Sequence, residues 1–399
     1  MLITEEPDKL LLIPGPTPVE RTILAALSVP TISHTSAPMA EIVSACLDGL
    51  RFIAETREAQ PFVFGGSGTL AQEAAVVNLV APGERLLIAS NGFFGDRFAP
   101  IARAHGIEVE HLKARWGESV TPGQLEHALA RTACRAIAIT QVETSTGTLA
   151  PVEALAAEAR QHGALVIVDA VCAFAGTPTL MDAWGIDVLV TGAQKALGMP
   201  PGLSILLASP AALARRRQMP AIASYYADLL NWLPSMEDPT VYFSTHAVNL
   251  FYALRAALEL IRNEGLERRF ARHDLQARAF RAGAEALGFR PLTDPRHLAP
   301  TLSVLRYPED ISDEEFRAEL SRRGVVAAAC LGEFNGIGVR FGHMGNIGDA
   351  EIVQALWGME STLRALNVRI KSGAGVAAAQ AQLSDVSSTV PRLGIATVR

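Results

Sequence analysis

The run Val152-Glu-Ala-Leu-Ala-Ala-Glu-Ala-Arg-Gln161, the stop at Gly163 and the apolar run Leu165-Val-Ile-Val168 decide the fold class. Apolar residues in the first run recur at helical spacing, glycine closes it, and the second run is too short for a helix. An uninterrupted apolar stretch of that length suits a parallel strand buried on both faces. Outward from there, the same alternation repeats between roughly residues 60 and 210. Apolar runs at 61–64, 85–89, 136–140, 188–191 and 204–207 predict strands, and 70–80, 97–105 and 124–131 predict helices between them, with breaks at Pro82-Gly83 and Gly106. The pattern implies an open α/β sheet with helices on both faces. Ligands of such sheets sit at the carboxyl ends of the strands, so chemistry is expected in the loops there.

Residues from about 246 to 288 read as two helical segments broken near Gly265, the second heavily charged and suited to a connector. After Pro300 a new αβ region follows, with strands at 301–305, near 325–329 and at 338–341, and a capped helix start at Ser312-Asp-Glu-Glu315. The expected organisation is an N-terminal arm over 1–20, a large domain over 21–265, a small domain over 266–370 and a poorly tethered tail over 371–399.

Of 399 residues, 49% are hydrophobic and 19% charged, which suits a compact chain with a sizeable core. A net charge of −6 without a basic block argues against nucleic acid as a partner, and Arg215-Arg-Arg217 reads as a solvated helix face. Cys46, Cys134, Cys172 and Cys330 are far apart and form no C-x-x-C pair, so neither a metal site nor a disulfide framework is expected. Residues 1–18 are acidic and lack a basic leader, and no apolar stretch reaches membrane-spanning length, so a cytoplasmic protein without membrane contact is expected.

Three features carry chemistry. Phe64-Gly-Gly-Ser-Gly-Thr69 follows a strand and opens a helix, where backbone N–H groups and hydroxyls converge on an anion such as phosphate. It has no Walker lysine, and Ala71 stands where the third glycine of a dinucleotide loop would fall, so by itself it equally suits a tight turn. Asp169 ends a central strand, where a cap or turn role would serve as well. Lys195 leaves another strand into a loop of small residues and proline, Ala196-Leu-Gly-Met-Pro-Pro-Gly202. Taken together they match pyridoxal phosphate, which needs an anion cup, an amine and a carboxylate against its ring nitrogen.

The sequence resembles the class V aminotransferases of the fold-type I pyridoxal-phosphate enzymes, most closely the alanine–glyoxylate and serine–glyoxylate (serine–pyruvate) branch. The resemblance runs from Leu12-Ile-Pro-Gly-Pro-Thr17 to about residue 366. It rests on Gly66-Ser-Gly-Thr69, Asn91-Gly-Phe-Phe-Gly95, Glu143-Thr-Ser-Thr-Gly147, Val168-Asp-Ala170, Gly192-Ala-Gln-Lys195 with Pro200-Pro-Gly202, and Arg340-Phe-Gly-His-Met-Gly345. It implies a large domain built on a mostly parallel seven-stranded sheet and a smaller C-terminal α/β domain. It further implies that Lys195 bonds the cofactor and shuttles the proton, and that Asp169 holds the pyridinium. Ser67, Gly68, Thr69 and Gln194 would line the phosphate cup, Phe94 would stack on the ring and Thr144 would contact it. Tyr242 and Thr245 would reach the neighbouring subunit's phosphate in a homodimer, Arg340 would grip the substrate carboxylate, and Gly15 would line the substrate mouth.

Phe94 stands where many relatives have Trp or Tyr, Thr69 where some have histidine, Thr144 where serine is found, and His246 where proline is common. One arginine clamp favours a small donor, alanine, serine or glycine-like, with glyoxylate or pyruvate as acceptor. Alternatives are a desulfurase using Cys330, or a pyridoxamine–pyruvate, ureidoglycine–glyoxylate or 2-aminoethylphosphonate–pyruvate aminotransferase. A nicotinamide oxidoreductase is disfavoured by the glycine spacing, and a non-catalytic role by Lys195.

Overall fold

The computed structural model describes residues 9–308 and 311–385. Seven strands form the main sheet: β1 (Gln60–Gly66), β2 (Arg85–Ser90), β3 (Glu108–Lys113), β4 (Ala136–Thr140), β5 (Leu165–Asp169), β6 (Val188–Gly192) and β7 (Gly202–Ala208). Their spatial order is β1-β7-β6-β5-β4-β2-β3, and β7 alone runs antiparallel to its neighbours. Every residue of β4 and β6 is buried, which is why both read as continuous apolar runs. β3 has no apolar run because it is an edge strand, and its Glu, His and Lys residues face partial solvent. With six strands parallel, the ends of β1, β2, β4, β5 and β6 meet at one edge of the sheet, and residues 67, 94, 140, 169 and 195 are delivered there.

Helix α1 (Ala37–Ala54) packs with α3 (Val248–Glu264), while α2 (Gly68–Leu79) is buried almost all round. Gly265, at φ +81°, separates α3 from α4 (Leu266–Ala286). A second core lies between α4, α5 (Asp349–Ala365) and a smaller antiparallel sheet. That sheet comprises β8 (Arg290–Pro291), β9 (Leu302–Arg306), β10 (Ala328–Ala329) and β11 (Gly338–Gly342), in the order β8-β9-β11-β10. The strand expected at 325–329 is divided: Val325–Val326 pairs in parallel with Leu10–Leu11 of the N-terminal segment, and only β10 joins β11.

Two expectations are corrected. The tail is not loose over 374–385, where helix α6 (Ala374–Asp385) packs on α4 and α5. Its small residues fit closely: a Cβ at Gly283 would stand 2.8 Å from the Gly375 carbonyl oxygen, and Glu360 accepts from the N–H groups of Gly373 and Gly375, both at 2.9 Å. A run of alanines docks this way without the bulky periodicity that marks an amphipathic helix. The rest of the tail, 386–399, and residues 1–8 of the arm lie outside the described residues. Arg216 is also not solvated; it is 3% exposed and grips Asp228 with two bonds, of 3.0 and 2.7 Å, because its helix (Pro210–Gln218) is wedged between α2 and the helix Leu229–Glu237. Among the described residues no helix is long and apolar enough to cross a membrane.

Candidate active site

Asp169, the last residue of β5, is buried. Its Oδ2 accepts from Gln72 Nε2 at 2.6 Å and its Oδ1 from the Val171 N–H at 2.9 Å. Burial pushes the carboxyl up to about 6, against the pull of these two bonds.

Lys195 emerges three residues beyond β6, half-buried, and its Nζ donates to the Pro14 carbonyl. Its own carbonyl accepts from Thr17 Oγ1 at 2.9 Å, and Gln194 O accepts from the Thr17 N–H at 3.2 Å, so the N-terminal segment straps the lysine loop. Gly15 is required in this strap: at φ +93°, any Cβ would stand 2.5 Å from Lys195 Cδ.

Ser67 precedes α2 with its hydroxyl making no capping bond to the helix, and Gly68 abuts Val171 so tightly that a Cβ would lie 2.8 Å from Cγ2. Phe94 is held by Glu143, which is completely buried. Its Oε2 accepts from the N–H groups of Phe94 and Gly95 at 3.0 and 2.9 Å, and its Oε1 from Ser145 N and Oγ at 2.9 and 2.7 Å. Burial raises the Glu143 carboxyl while these four bonds lower it.

Thr144 Oγ1 lies 2.8 Å from Cys172 Sγ, and its carbonyl accepts from Arg340 Nη1 at 3.3 Å. Arg340, on β11, also donates to Ala329 O at 2.8 Å. Gly345 of the same motif donates to His273 Nε2 at 3.0 Å and stands over the Lys195 carbonyl.

One cavity thus gathers Ser67, Gly68, Thr69, Phe94, Thr144, Asp169, Gln194 and Lys195. Gly15 touches the lysine and Arg340 reaches the cavity wall through Thr144, although neither lines it. Tyr242 and Thr245 are apart from it; Tyr242 is 62% exposed with its ring against His34, and Thr245 is exposed. Cys330 is buried in the small domain's margin, and burial pushes its thiol up to about 12, so it is not a thiolate at neutral pH.

Sequence reasoning missed Gln72, Arg97, Thr140, Val171 and Cys172, which line the same cavity. For Gln72 the available signal was its position one helical turn beyond Gly68, and for Arg97 its place three residues after Phe94.

The donor set fits pyridoxal phosphate. Gln72 Oε1, Thr140 Oγ1 and Gln194 Oε1 are buried at the cavity without a hydrogen-bond partner, and a buried carboxylate faces it beside the N-terminus of α2. Polar atoms so placed call for a polar occupant. A protonated ring nitrogen and a ring hydroxyl can donate to such oxygens, and a phosphate can accept from hydroxyls such as those of Thr140 and the helix start.

The model of the family "Aminotransferase class-V" matches residues 24–366. A Synechococcus protein named as the small subunit of a soluble hydrogenase is 34% identical over 381 residues, spanning 94% of this chain and 98% of its own. The L-aspartate–glyoxylate aminotransferase of Paracoccus denitrificans is 32% identical over 379 residues, spanning 93% and 95%. The crystal structure of ureidoglycine–glyoxylate aminotransferase from Bacillus subtilis superposes with a TM-score of 0.92 at 28% identity, covering 96% of this chain and 99% of that one. With the lysine, the buried carboxylate and the glycine-rich helix start converging on one cavity of this fold, the chain belongs to the class V aminotransferases and is a pyridoxal-phosphate-dependent aminotransferase.

Proposed function

We propose that this enzyme moves the amino group of a small amino acid, alanine, serine or glycine-like, to glyoxylate or pyruvate in a ping-pong cycle. The observation that carries this reading is the single cavity bearing Lys195, Asp169 and the Ser67–Gly68–Thr69 helix start, with Arg340 at its margin. The bound cofactor supplies an electron-accepting ring. Asp169 would keep the ring nitrogen protonated, and Lys195 Nζ would hold the cofactor and carry the proton at the substrate α-carbon. Ser67, Gly68, Thr69 and Gln194 would hold the phosphate, and Phe94 and Thr144 would hold the ring. Arg340 has spent two of its five N–H donors on carbonyls, which leaves a fork for the substrate carboxylate. Gly15 keeps the substrate mouth open beside the lysine.

Two of the related proteins named above act on glyoxylate, which supports it as acceptor. A matrix of alanine, serine, glycine, aspartate and glutamate against glyoxylate, pyruvate and 2-oxoglutarate tests the assignment. A preference for glutamate with 2-oxoglutarate would overturn it.

The working unit in this reading is a homodimer in which Tyr242 and Thr245 complete the partner subunit's phosphate cup. The exposure of both residues, and of Ser67 and Thr69 at the cup itself, supports it. In mixed dimers, pairing a Lys195→Ala subunit with a Tyr242→Phe, Thr245→Ala subunit should restore one intact site. Mixtures no more active than either parent would count against sharing. Four free thiols support a reducing, cytoplasmic setting.

A further inference from the structure

Two cations line the cavity, Lys195 and Arg97. In the proposed chemistry the lysine is committed to the cofactor's carbonyl carbon and to the proton, so it cannot balance the phosphate. Arg97 directly follows the short helix Phe93–Asp96. Its guanidinium carbon lies 4.7 Å from the centroid of the Phe94 ring, and its Nη1 donates to Thr69 Oγ1 at 3.0 Å. The charge therefore stands beside the start of α2. Among the described residues no carboxylate forms an ion pair with Arg97, in contrast to Arg216 with Asp228 or Arg269 with Glu264.

The charge balance of the cup gives this placement its meaning. A phosphate monoester carries about −1.5 to −2 near neutral pH, and a helix start offers the equivalent of about +0.5. Ser67, Gly68, Thr69 and Gln194 add only neutral donors. Because Thr69 Oγ1 already accepts from Arg97, its hydroxyl hydrogen is turned away from the guanidinium and available to an anion. Buried, unpartnered Gln72 Oε1 and Thr140 Oγ1 on the same cavity mark it independently as built for a polar occupant.

We propose that Arg97 is the cation of the phosphate cup, acting by its own charge and by orienting the Thr69 hydroxyl, and that it makes this site prefer a phosphorylated pyridoxal ring over the unphosphorylated one. The proposal rests on the pyridoxal-phosphate reading above.

The test is equilibrium binding of pyridoxal phosphate and of pyridoxal, followed by absorbance, to the full-length chain freed of cofactor. Parent, Arg97→Met and Arg97→Lys are compared; the thioether keeps a flexible side chain over the Phe94 ring without the charge. Arg97→Met should raise the Kd for pyridoxal phosphate about 10- to 100-fold and leave that for pyridoxal within about twofold. Arg97→Lys should recover part of the loss and carries the test if the Met variant does not fold. Equal losses for both compounds would mean that Arg97 only supports Phe94, and an unchanged Kd for pyridoxal phosphate would mean that it holds nothing; either overturns the proposal. A parent that binds neither compound would remove the cofactor reading itself.

Discussion

Gln72 Nε2 donates to Asp169 Oδ2 at 2.6 Å, between side chains that are both buried and 97 positions apart. The bond links the second turn of α2 to the end of β5. It lowers the Asp169 carboxyl against the upward push of burial, favouring the ionised form that a pyridinium needs.

Replacing Gln72 with Met removes a hydrogen bond to a charged group, worth about 1.5–3 kcal/mol. kcat/KM should fall by about tenfold or more with the fold intact, and Gln72→Asn should not recover it, because its amide is one methylene too short. Steady-state kinetics alongside circular dichroism check this, and unchanged kcat/KM in Gln72→Met would show that the bond is incidental.

Asp169→Asn should act in opposite directions on catalysis and stability. Activity should nearly vanish, since an amide cannot hold the pyridinium proton. In the cofactor-free protein, however, the folded-state carboxyl stands at about 6 against an ordinary 3.8, so the folded chain holds this proton more tightly than the unfolded chain. The parent therefore loses stability as pH rises from about 4 to about 6 and does not regain it above, a difference of about 3 kcal/mol. The Asn variant lacks that loss because an amide does not titrate, and Gln72, with its own amide turned, can accept from it through the unpartnered Oε1. Urea unfolding at pH 4, 5, 6 and 8 should give curves that coincide at pH 4 and diverge in favour of Asn above pH 6; parallel curves would contradict the burial cost.

Gly15→Ala should cripple turnover while sparing the fold. The added Cβ would stand 2.5 Å from Lys195 Cδ and 2.8 Å from Nζ, at a φ that costs about 1–2 kcal/mol for a residue with a side chain. Borohydride labelling of Lys195, read by mass spectrometry, should be slowed or incomplete in the variant and complete in the parent. Normal labelling and rate would show that the strap tolerates the intrusion.

Arg340→Ala should cost about 2–5 kcal/mol in kcat/KM for both half-reactions, since donor and acceptor present a carboxylate to the same guanidinium. Arg340→Lys should recover little, because a point charge cannot form two parallel bonds and would also leave the Thr144 and Ala329 carbonyls without their donor. Loss confined to one half-reaction would place the other substrate's carboxylate elsewhere.

Much of the large sheet is legible in the amino-acid sequence. Runs such as Ala136–Thr140 and Val188–Gly192 are buried on both faces, so selection for apolar residues acts on every position and the strand writes itself into the chain. Asp169 and Lys195 were legible for a related reason: one ends such a strand and the other leaves one, so each stands out as a polar group against an apolar run. The edge strand Glu108–Lys113 was not, since half-exposed positions accept charge, and neither was α6, whose alanines dock by closeness to Gly283 and not by a bulky stripe.

By itself, the sequence determined the buried strands of the large sheet, the helices between them, the glycine-rich helix start, and the placing of Asp169 and Lys195 at or just past strand ends, because burial constrains those positions one at a time. Only the tertiary structure decided that Gln72 meets Asp169, that Arg97 turns toward Thr69 and not into solvent, and that Gly15 and Thr17 strap the lysine loop across 178 positions between Thr17 and Lys195. These are contacts between remote segments, fixed by how helices pack on a twisted sheet, and nothing in the local chain at either end reports its partner.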